Sequence, residues 1–441
     1  MQIHYYPGAI RHIDKMLEGA PTTKSKVAVI GLGYVGLPTA LALESRGHPI
    51  VGIDIDRRRL DAIRSGEVDS VSTAAHDLAG AIERGSFDLT DDPTRITSVD
   101  AVIIAVPTPI DATRTPDVAA LQAACDEVVA NARKGQVIIL TSTTFVGCTR
   151  SYLAEPLESR GFEVGRDVMV AFAPERLNPG STDFGPDDVP RVVGGITSEC
   201  ARAACEVLDD ICATTHVVSS PEVAEMTKLV ENTFRAVNIA LANEFADAAG
   251  AFEIDAREVL DAAASKPYGF MAFEPGVGVG GHCIPCDPHY LLWSLHSERR
   301  FSPVIEQAML VLATRPDRIA ARVRELLATR GTAIDGARVL IAGITYKPGV
   351  RDLRESPALQ LATTLRHWGA EVTGHDPTYM GTVVDHDGRT VPLIDRPEPG
   401  EHDLVVIAHR DAILDRDALE RAPLVLDATW SLSDLPTVVT P

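Results

Sequence analysis

The chain is 441 residues long, with a formal net charge of -21 and a sequence pI of about 5.0. That length exceeds one ordinary domain and predicts two or three. The acidic balance excludes nucleic acid and anionic membrane as general partners, but not a small anionic ligand held by a few local Lys and Arg.

Seven cysteines, odd in number and scattered, give no disulfide framework. The N-terminus lacks the basic-then-apolar pattern of a signal peptide, and no long uncharged apolar run follows, so a cytoplasmic protein is expected. Residues 1–25 read as an N-terminal extension or linker with no visible chemistry.

Lys26-Val-Ala-Val-Ile-Gly31 predicts a buried strand. Gly31-Leu-Gly33-Tyr34-Val35-Gly36 follows, then a helical stretch to Arg46 and a second strand, Ile50-Val-Gly-Ile-Asp54. This is the dinucleotide fingerprint in its required context of strand, turn, helix, strand and acid. The first glycine makes the turn, the second admits the pyrophosphate, and the third lets helix pack on strand. Asp54 is placed to accept from ribose hydroxyls and to repel a 2′-phosphate, which favours NAD. Arg57, Arg58 and Arg59 read as a solvated helix face, with a phosphate contact as the competing reading.

Ala101–Val106, Gln136–Thr143 and Asp167–Ala173 predict further strands. Ligands collect beyond the carboxyl ends of parallel strands, which singles out Thr108, Ser142, Thr143 and Glu175. Helix capping is the bland role for the hydroxyl residues. For Glu175 the choice lies between proton relay beside a cofactor and a surface salt bridge to Arg176.

From Pro221 the pattern is helical, without a breaker through Glu244. Val223, Met226, Val230, Phe234, Val237 and Leu241 recur at helical spacing. Lys228, Asn232 and Arg235 share another face, either solvated or ligand-facing. Gly276-Val-Gly-Val-Gly280-Gly-His-Cys283-Ile-Pro-Cys286-Asp287-Pro288 reads as a glycine-rich loop that presents Cys283 and lets a substrate lie against the backbone. Ser302–Thr329 predicts a helix interrupted at Arg315-Pro316 by a kink or a break. Strands resume at Ala337–Gly343, Glu371–Asp376, Asp403–Ala408 and Leu424–Thr429, with Ser356-Pro357 as a helix start. The fold expected is α/β: two Rossmann-like doubly wound lobes joined by a central helical domain. The boundaries expected are 26–218, 219–330 and 331–441. Two such lobes suggest two ligands, one nucleotide each.

Cys283-x-x-Cys286 also admits redox or zinc chemistry. A structural zinc site needs a second ligand pair, and none is visible, so no metal is expected. A thioredoxin-like motif should begin a helix at the end of a strand, whereas this one follows a long helical region. A buried inert thiol is the bland alternative. It suits Cys286 better than Cys283, which stands among glycines. A dinucleotide plus a thiolate can oxidise an aldehyde to a thioester that water then cleaves. Asp287 or Lys228 is placed to position base or water, and Lys228 to stabilise an alkoxide.

Taken together, the chain resembles the UDP-glucose/GDP-mannose dehydrogenase family from Lys26 onward. The matching stretches are Gly31–Gly36, Pro107-Thr-Pro109, Ser142-Thr143, Pro174-Glu175-Arg176-Leu177-Asn178-Pro-Gly180, Lys228 with Asn232, Gly280–Asp287, and Gly343-Ile-Thr-Tyr-Lys347 through Arg354-Glu-Ser-Pro357. The resemblance implies two NAD-dependent oxidations at C6 of a nucleotide sugar, alcohol to aldehyde to carboxylate. It implies Cys283 as thiohemiacetal and thioester nucleophile. Lys228, Asn232 and Asp287 would hold the C6 oxygen and a water, Thr143 would help place that water, and Glu175 would assist hydrolysis. Arg176, Leu177, Asn178, Arg235, Gly280, Lys347 and Arg354 would serve the sugar nucleotide. It further implies a homodimer or higher homo-oligomer joined through the central helices. Cys286 stands where glucose-type members carry lysine, and Tyr290-Leu-Leu-Trp293 follows, a pattern closer to members acting on N-acetylated UDP sugars. UDP-glucose is the alternative substrate. A non-catalytic dinucleotide-sensing protein and a Cys283–Cys286 redox switch are the readings from other classes.

Overall fold

The computed structural model describes residues 24–67, 78–176, 188–412, 414–432 and 438–441. Nearly all of the expected N-terminal extension, and Leu177 and Asn178, lie outside the described residues. The chain divides into two compact units. One runs through Glu231 and takes in His289–Glu298; the other comprises Asn232–Pro288 and Arg299–Pro441.

In the first unit, eight strands form one sheet: β1 (Val27–Ile30), β2 (Ile50–Ile53), β3 (Phe87–Thr90), β4 (Ala101–Ile104), β5 (Val137–Leu140), β6 (Met169–Phe172), β7 (Arg191–Gly195) and β8 (Thr215–Val218). Their order is β3-β2-β1-β4-β5-β6-β7-β8. Pairing is parallel except at β6–β7. Strands covered on both faces read as unbroken apolar runs, and β1, β2 and β4 are buried at every position. Val27 and Val29 pack into one apolar cluster, Ala28 and Ile30 into another on the opposite face. Strand order reverses between β1 and β4, the topological switch point where such sheets bind ligands.

In the second unit, β9 (Arg338–Ala342), β10 (Glu371–His375), β13 (Leu404–Ile407), β14 (Val425–Asp427) and β15 (Val438–Val439) form a parallel sheet in the order β10-β9-β13-β14-β15. β11 (Thr382–Val384) and β12 (Thr390–Pro392) make a separate antiparallel pair. Ser356 caps the Pro357–His367 helix, its Oγ accepting from the Leu359 N–H, as the sequence predicts. The strand signals missed β3, β7, β8, β11, β12 and β15, which are short, polar or glycine-bearing.

Three expectations are corrected. Of the kink or break expected at Arg315-Pro316, the break is absent: the helix Pro303–Thr329 runs on through Pro316. The side chain of Gln360 donates to the Ala313 carbonyl, supplying a partner in the turn where proline's missing N–H disturbs the ladder. Arg315, read as part of a break, is a buried anchor: it donates to Asp247 at 2.5 Å and to the Gly276 carbonyl at 3.1 Å. Second, the glycine loop ends at His282, and Cys283 is the first residue of a helix, Cys283–Ser297. Third, the helix Pro221–Ala251 has the predicted period, but the solvated reading of the polar stripe fails at Lys228, which is buried. Ala224, Glu225, Lys228, Leu229, Thr233 and Ala236 are buried, while Val223, Met226, Val230, Phe234, Leu241 and Phe245 are 37–50% exposed.

Candidate active site

Gly31 leaves β1 with φ +84°, and a Cβ there would lie 2.7 Å from the Ala105 carbonyl oxygen beyond β4. A Cβ on Gly36 would meet the Gly31 oxygen at 1.8 Å, so only glycine lets the helix Gly36–Ser45 start this close to the turn. A Cβ on Gly33 would meet nothing within 4 Å, which leaves its face open to a ligand. Tyr34 is exposed, and Val35 at the N-cap offers no side-chain acceptor to the helix N–H groups. That end suits a pyrophosphate.

Asp54 closes the turn: its two oxygens accept the Leu32 N–H at 2.8 Å and the Asp56 N–H at 2.9 Å. A carboxylate has about four acceptor sites, so capacity remains for ribose hydroxyls. Arg57 and Arg58 are solvent-facing and pair with Asp91 and Asp56. Arg59 departs from the solvated reading, because its Nε donates to the Leu32 carbonyl at 2.9 Å and braces the same turn. These residues fit NAD.

Thr108 and Ser142 are buried and Thr143 half-buried. Ser142 Oγ donates to the Val106 carbonyl at 2.8 Å, tying the loop after β5 to the loop after β4 rather than capping a helix. Glu175, beyond β6, makes no side-chain bridge to Arg176. One oxygen accepts the Arg176 N–H at 2.8 Å and the other is gripped by Arg191. The Arg176 guanidinium goes instead to Glu231 at 2.6 Å and the Pro190 carbonyl at 2.7 Å. Lys228 is buried, and its Nζ donates to the Glu175 carbonyl at 2.7 Å. Lys228 and Glu175 are thus brought together, with Arg191 as a participant that no sequence motif had singled out.

In the second unit, Cys283 is exposed while Cys286 and Asp287 are buried. Asp287 lies one helical turn after Cys283 and accepts a short hydrogen bond from Asn232 Nδ2. The room at Gly280 and Gly281 is not left for a substrate: Cβ atoms there would run into the Glu355 carbonyl at 2.4 Å and the Tyr346 ring at 2.8 Å. The glycines let the loop pass under residues 346 and 355 and seat the start of the cysteine helix. Burial first, and then the nearby Arg354 charge, pull the His282 pKa below its ordinary value, so its ring is neutral at pH 7. Lys347 is also lowered, by burial and then by the charge of Arg235. Arg354 is held on Asp352, with contacts down to 2.6 Å.

The second sheet repeats the first sheet's turn: Gly343 ends β9 at φ +101° and Asp376 follows β10. Yet Asp376 accepts from the N–H groups of Ile344, Thr345 and Thr378 and from the hydroxyls of Thr345 and Thr378. Five donors fill its acceptor sites, so it cannot read a ribose as Asp54 can. Among the described residues no His/Cys/Asp/Glu group is arranged to hold a metal ion, and no helix is long and apolar enough to cross a membrane.

Family models match the chain in three consecutive pieces: the NAD binding domain of the UDP-glucose/GDP-mannose dehydrogenase family at residues 25–213, its central domain at 222–311 and its UDP binding domain at 340–431. The UDP-N-acetyl-D-glucosamine 6-dehydrogenase of Pseudomonas aeruginosa is 33% identical over 386 residues, 87% of this chain and 90% of that protein. The UDP-N-acetyl-D-mannosamine dehydrogenase of Salmonella typhi is 35% identical over 354 residues, 78% of this chain and 83% of that protein. A solved UDP-D-ManNAc dehydrogenase from Pyrococcus horikoshii superposes with a TM-score of 0.83 at 29% identity, covering 94% of this chain and 98% of that one.

Proposed function

The chain belongs to the UDP-glucose/GDP-mannose dehydrogenase family and is an NAD-dependent nucleotide-sugar dehydrogenase, and from that premise we propose that it oxidises C6 of UDP-N-acetylglucosamine or UDP-N-acetylmannosamine from alcohol through aldehyde to carboxylate. The names of its relatives support the N-acetylated sugars. So does Cys286, which stands, buried, where glucose-type members carry lysine.

NAD, when bound, supplies the hydride acceptor for both oxidations. Gly31, Gly33, Tyr34, Val35, Gly36, Asp54, Thr108, Ser142 and Thr143 would hold it. Cys283 carries the assignment to this chemistry: it is exposed and first in its helix, with the Asp287–Asn232 pair one turn on. A negative charge developing there lies at the favourable end of the helix dipole. The Cys283 sulfur adds to the aldehyde carbon, and the oxidised adduct is a thioester on the chain. Lys228, already committed to a carbonyl, supplies positive charge to the C6 oxygen, while Asn232 and Asp287 help to hold that oxygen and a water. Thr143 helps place the water and Glu175 assists hydrolysis. Arg235 and Lys347 would take the diphosphate, aided by Arg354 and by Arg176 with its successors Leu177 and Asn178.

We also propose a division at 26–218, 219–330 and 331–441, a cytoplasmic setting, and a homodimer. The exposed apolar stripe from Val223 to Phe245 supports a second copy as the partner. At 1.5 Å per residue it runs about 33 Å along one helix. A self-complementary stripe of that kind suits a two-fold interface.

An NADH-release screen over UDP-, GDP- and dTDP-sugars, with product masses, tests the substrate. Turnover with a UDP-N-acetylhexosamine and gain of a carboxylate is expected. NADH from UDP-glucose alone would overturn the sugar assignment, and none from any sugar would favour dinucleotide sensing.

A further inference from the structure

Among the described residues, β6–β7 is the one antiparallel pairing in the eight-stranded sheet. A parallel strand starts at the end of the sheet remote from its neighbours' carboxyl ends, whereas an antiparallel strand starts at that carboxyl end. β7 therefore begins where ligands collect, and its first residue is Arg191. The register pairs Phe172 with Gly194. Continued three residues outward, it sets Glu175 opposite Arg191.

The side chains meet there. Arg191 Nη2 donates to Glu175 Oε2, while Oε1 accepts the Arg176 N–H. The two side chains are only 7% and 17% exposed. The other terminal nitrogen of Arg191, Nη1, is buried with no hydrogen-bond partner among the described residues. A buried ion pair is a weak source of stability, because desolvation offsets its attraction. A buried donor without a protein partner also calls for a water. Both features sit on the guanidinium that grips Glu175.

We propose that Arg191 is a positioning residue for thioester hydrolysis: it keeps Glu175 ionised and fixed, so that Glu175 orients the water as a hydrogen-bond acceptor without taking up its proton. This rests on the role given to Glu175 above. In the step itself the water oxygen bonds to the thioester carbonyl carbon. The carbon–sulfur bond breaks with its electron pair left on Cys283, and the water's two protons leave for solvent. A carboxylate paired with arginine is a poor base, but a fixed acceptor needs no reorganisation as the reaction proceeds.

The test uses the full chain with UDP-N-acetylglucosamine and UDP-N-acetylmannosamine, comparing Arg191→Met, Arg191→Lys, Glu175→Gln and the double variant Arg191→Met/Glu175→Gln. NADH formed before hydrolysis, the intact mass of the chain and the pH profile of hydrolysis are measured. Arg191→Met is expected to form NADH in the first turnover and then accumulate a thioester adduct. Hydrolysis should be slowed on the order of 10–100-fold, with its acid limb about one pH unit or more higher. Arg191→Lys should recover part of the rate, and the double variant should be no slower than Glu175→Gln. Arg191→Met with no adduct and an unmoved acid limb overturns the proposal. So does a uniform loss of the first turnover and of hydrolysis with the limb in place, the mark of a merely structural role. If Glu175→Gln itself hydrolyses at the parent rate, the Glu175 role falls. If it is slow while Arg191→Met is normal, only the Arg191 role falls.

Discussion

Asp54 and Asp376 hold the same place, just past the second strand of their sheets, and differ in how many donors each faces. Asp54 receives two N–H groups and keeps acceptor capacity; Asp376 receives five donors from Ile344, Thr345 and Thr378, with His409 Nε2 at 3.4 Å besides, and has none to spare. Burial alone would raise the Asp376 pKa. Hydrogen bonds from His409, Thr378 and Thr345 outweigh it and hold the group well below the usual carboxylate range. A depressed carboxylate adds stability that is present above its unfolded pKa and lost as pH falls toward the folded one. Asp376→Asn should therefore cost about 2 kcal/mol at pH 7, and the difference from the parent should shrink below about pH 4. Urea midpoints of the full chain across pH check this; a gap that persists unchanged into acid would contradict it. The sequence shows both acids by position, but not the count of donors, which depends on Thr345 and Thr378 folding back onto the carboxylate.

The long helix Pro221–Ala251 shows where sequence patterning stops informing. Its apolar period is legible, and so is the shared stripe of Lys228 and Asn232. Which stripe is buried is not, because small residues and a buried cation line the inner face and the large apolar residues face outward. Periodicity reports a face, and only packing reports what covers it. In the same way the glycines before Cys283 are legible as a tight passage. Only the fold shows that Tyr346 and Glu355 fill the space they leave. β7 was missed because Arg191-Val-Val-Gly-Gly is short and glycine-ended, and with it went the arginine opposite Glu175. At the outward stripe, replacing Val230 and Phe234 together by Glu should convert a dimer into monomer in sedimentation equilibrium, since charge cannot be buried unpaired in an apolar contact. A parent chain that is monomeric, or a double variant that stays dimeric, would contradict the proposed interface.

Across the molecule, two sheets share one plan of glycine turn and strand-end acid, and the fold class is plain from the alternation of strands and helices. The strands legible in sequence, β1, β2, β4, β5, β6, β9, β10, β13 and β14, are mostly those buried as apolar runs. A chain of net charge -21 can still take an anionic sugar nucleotide, because the cations needed are local. The central claim is that these parts serve one thiol. Cys283→Ser, incubated with NAD and the nucleotide sugar that the screen identifies, tests it by product mass and by the ratio of NADH to sugar. The parent chain should release the carboxylate with two NADH per sugar, as a four-electron oxidation requires. The variant should release no carboxylate, and carboxylate formed by Cys283→Ser at the parent rate would contradict the account.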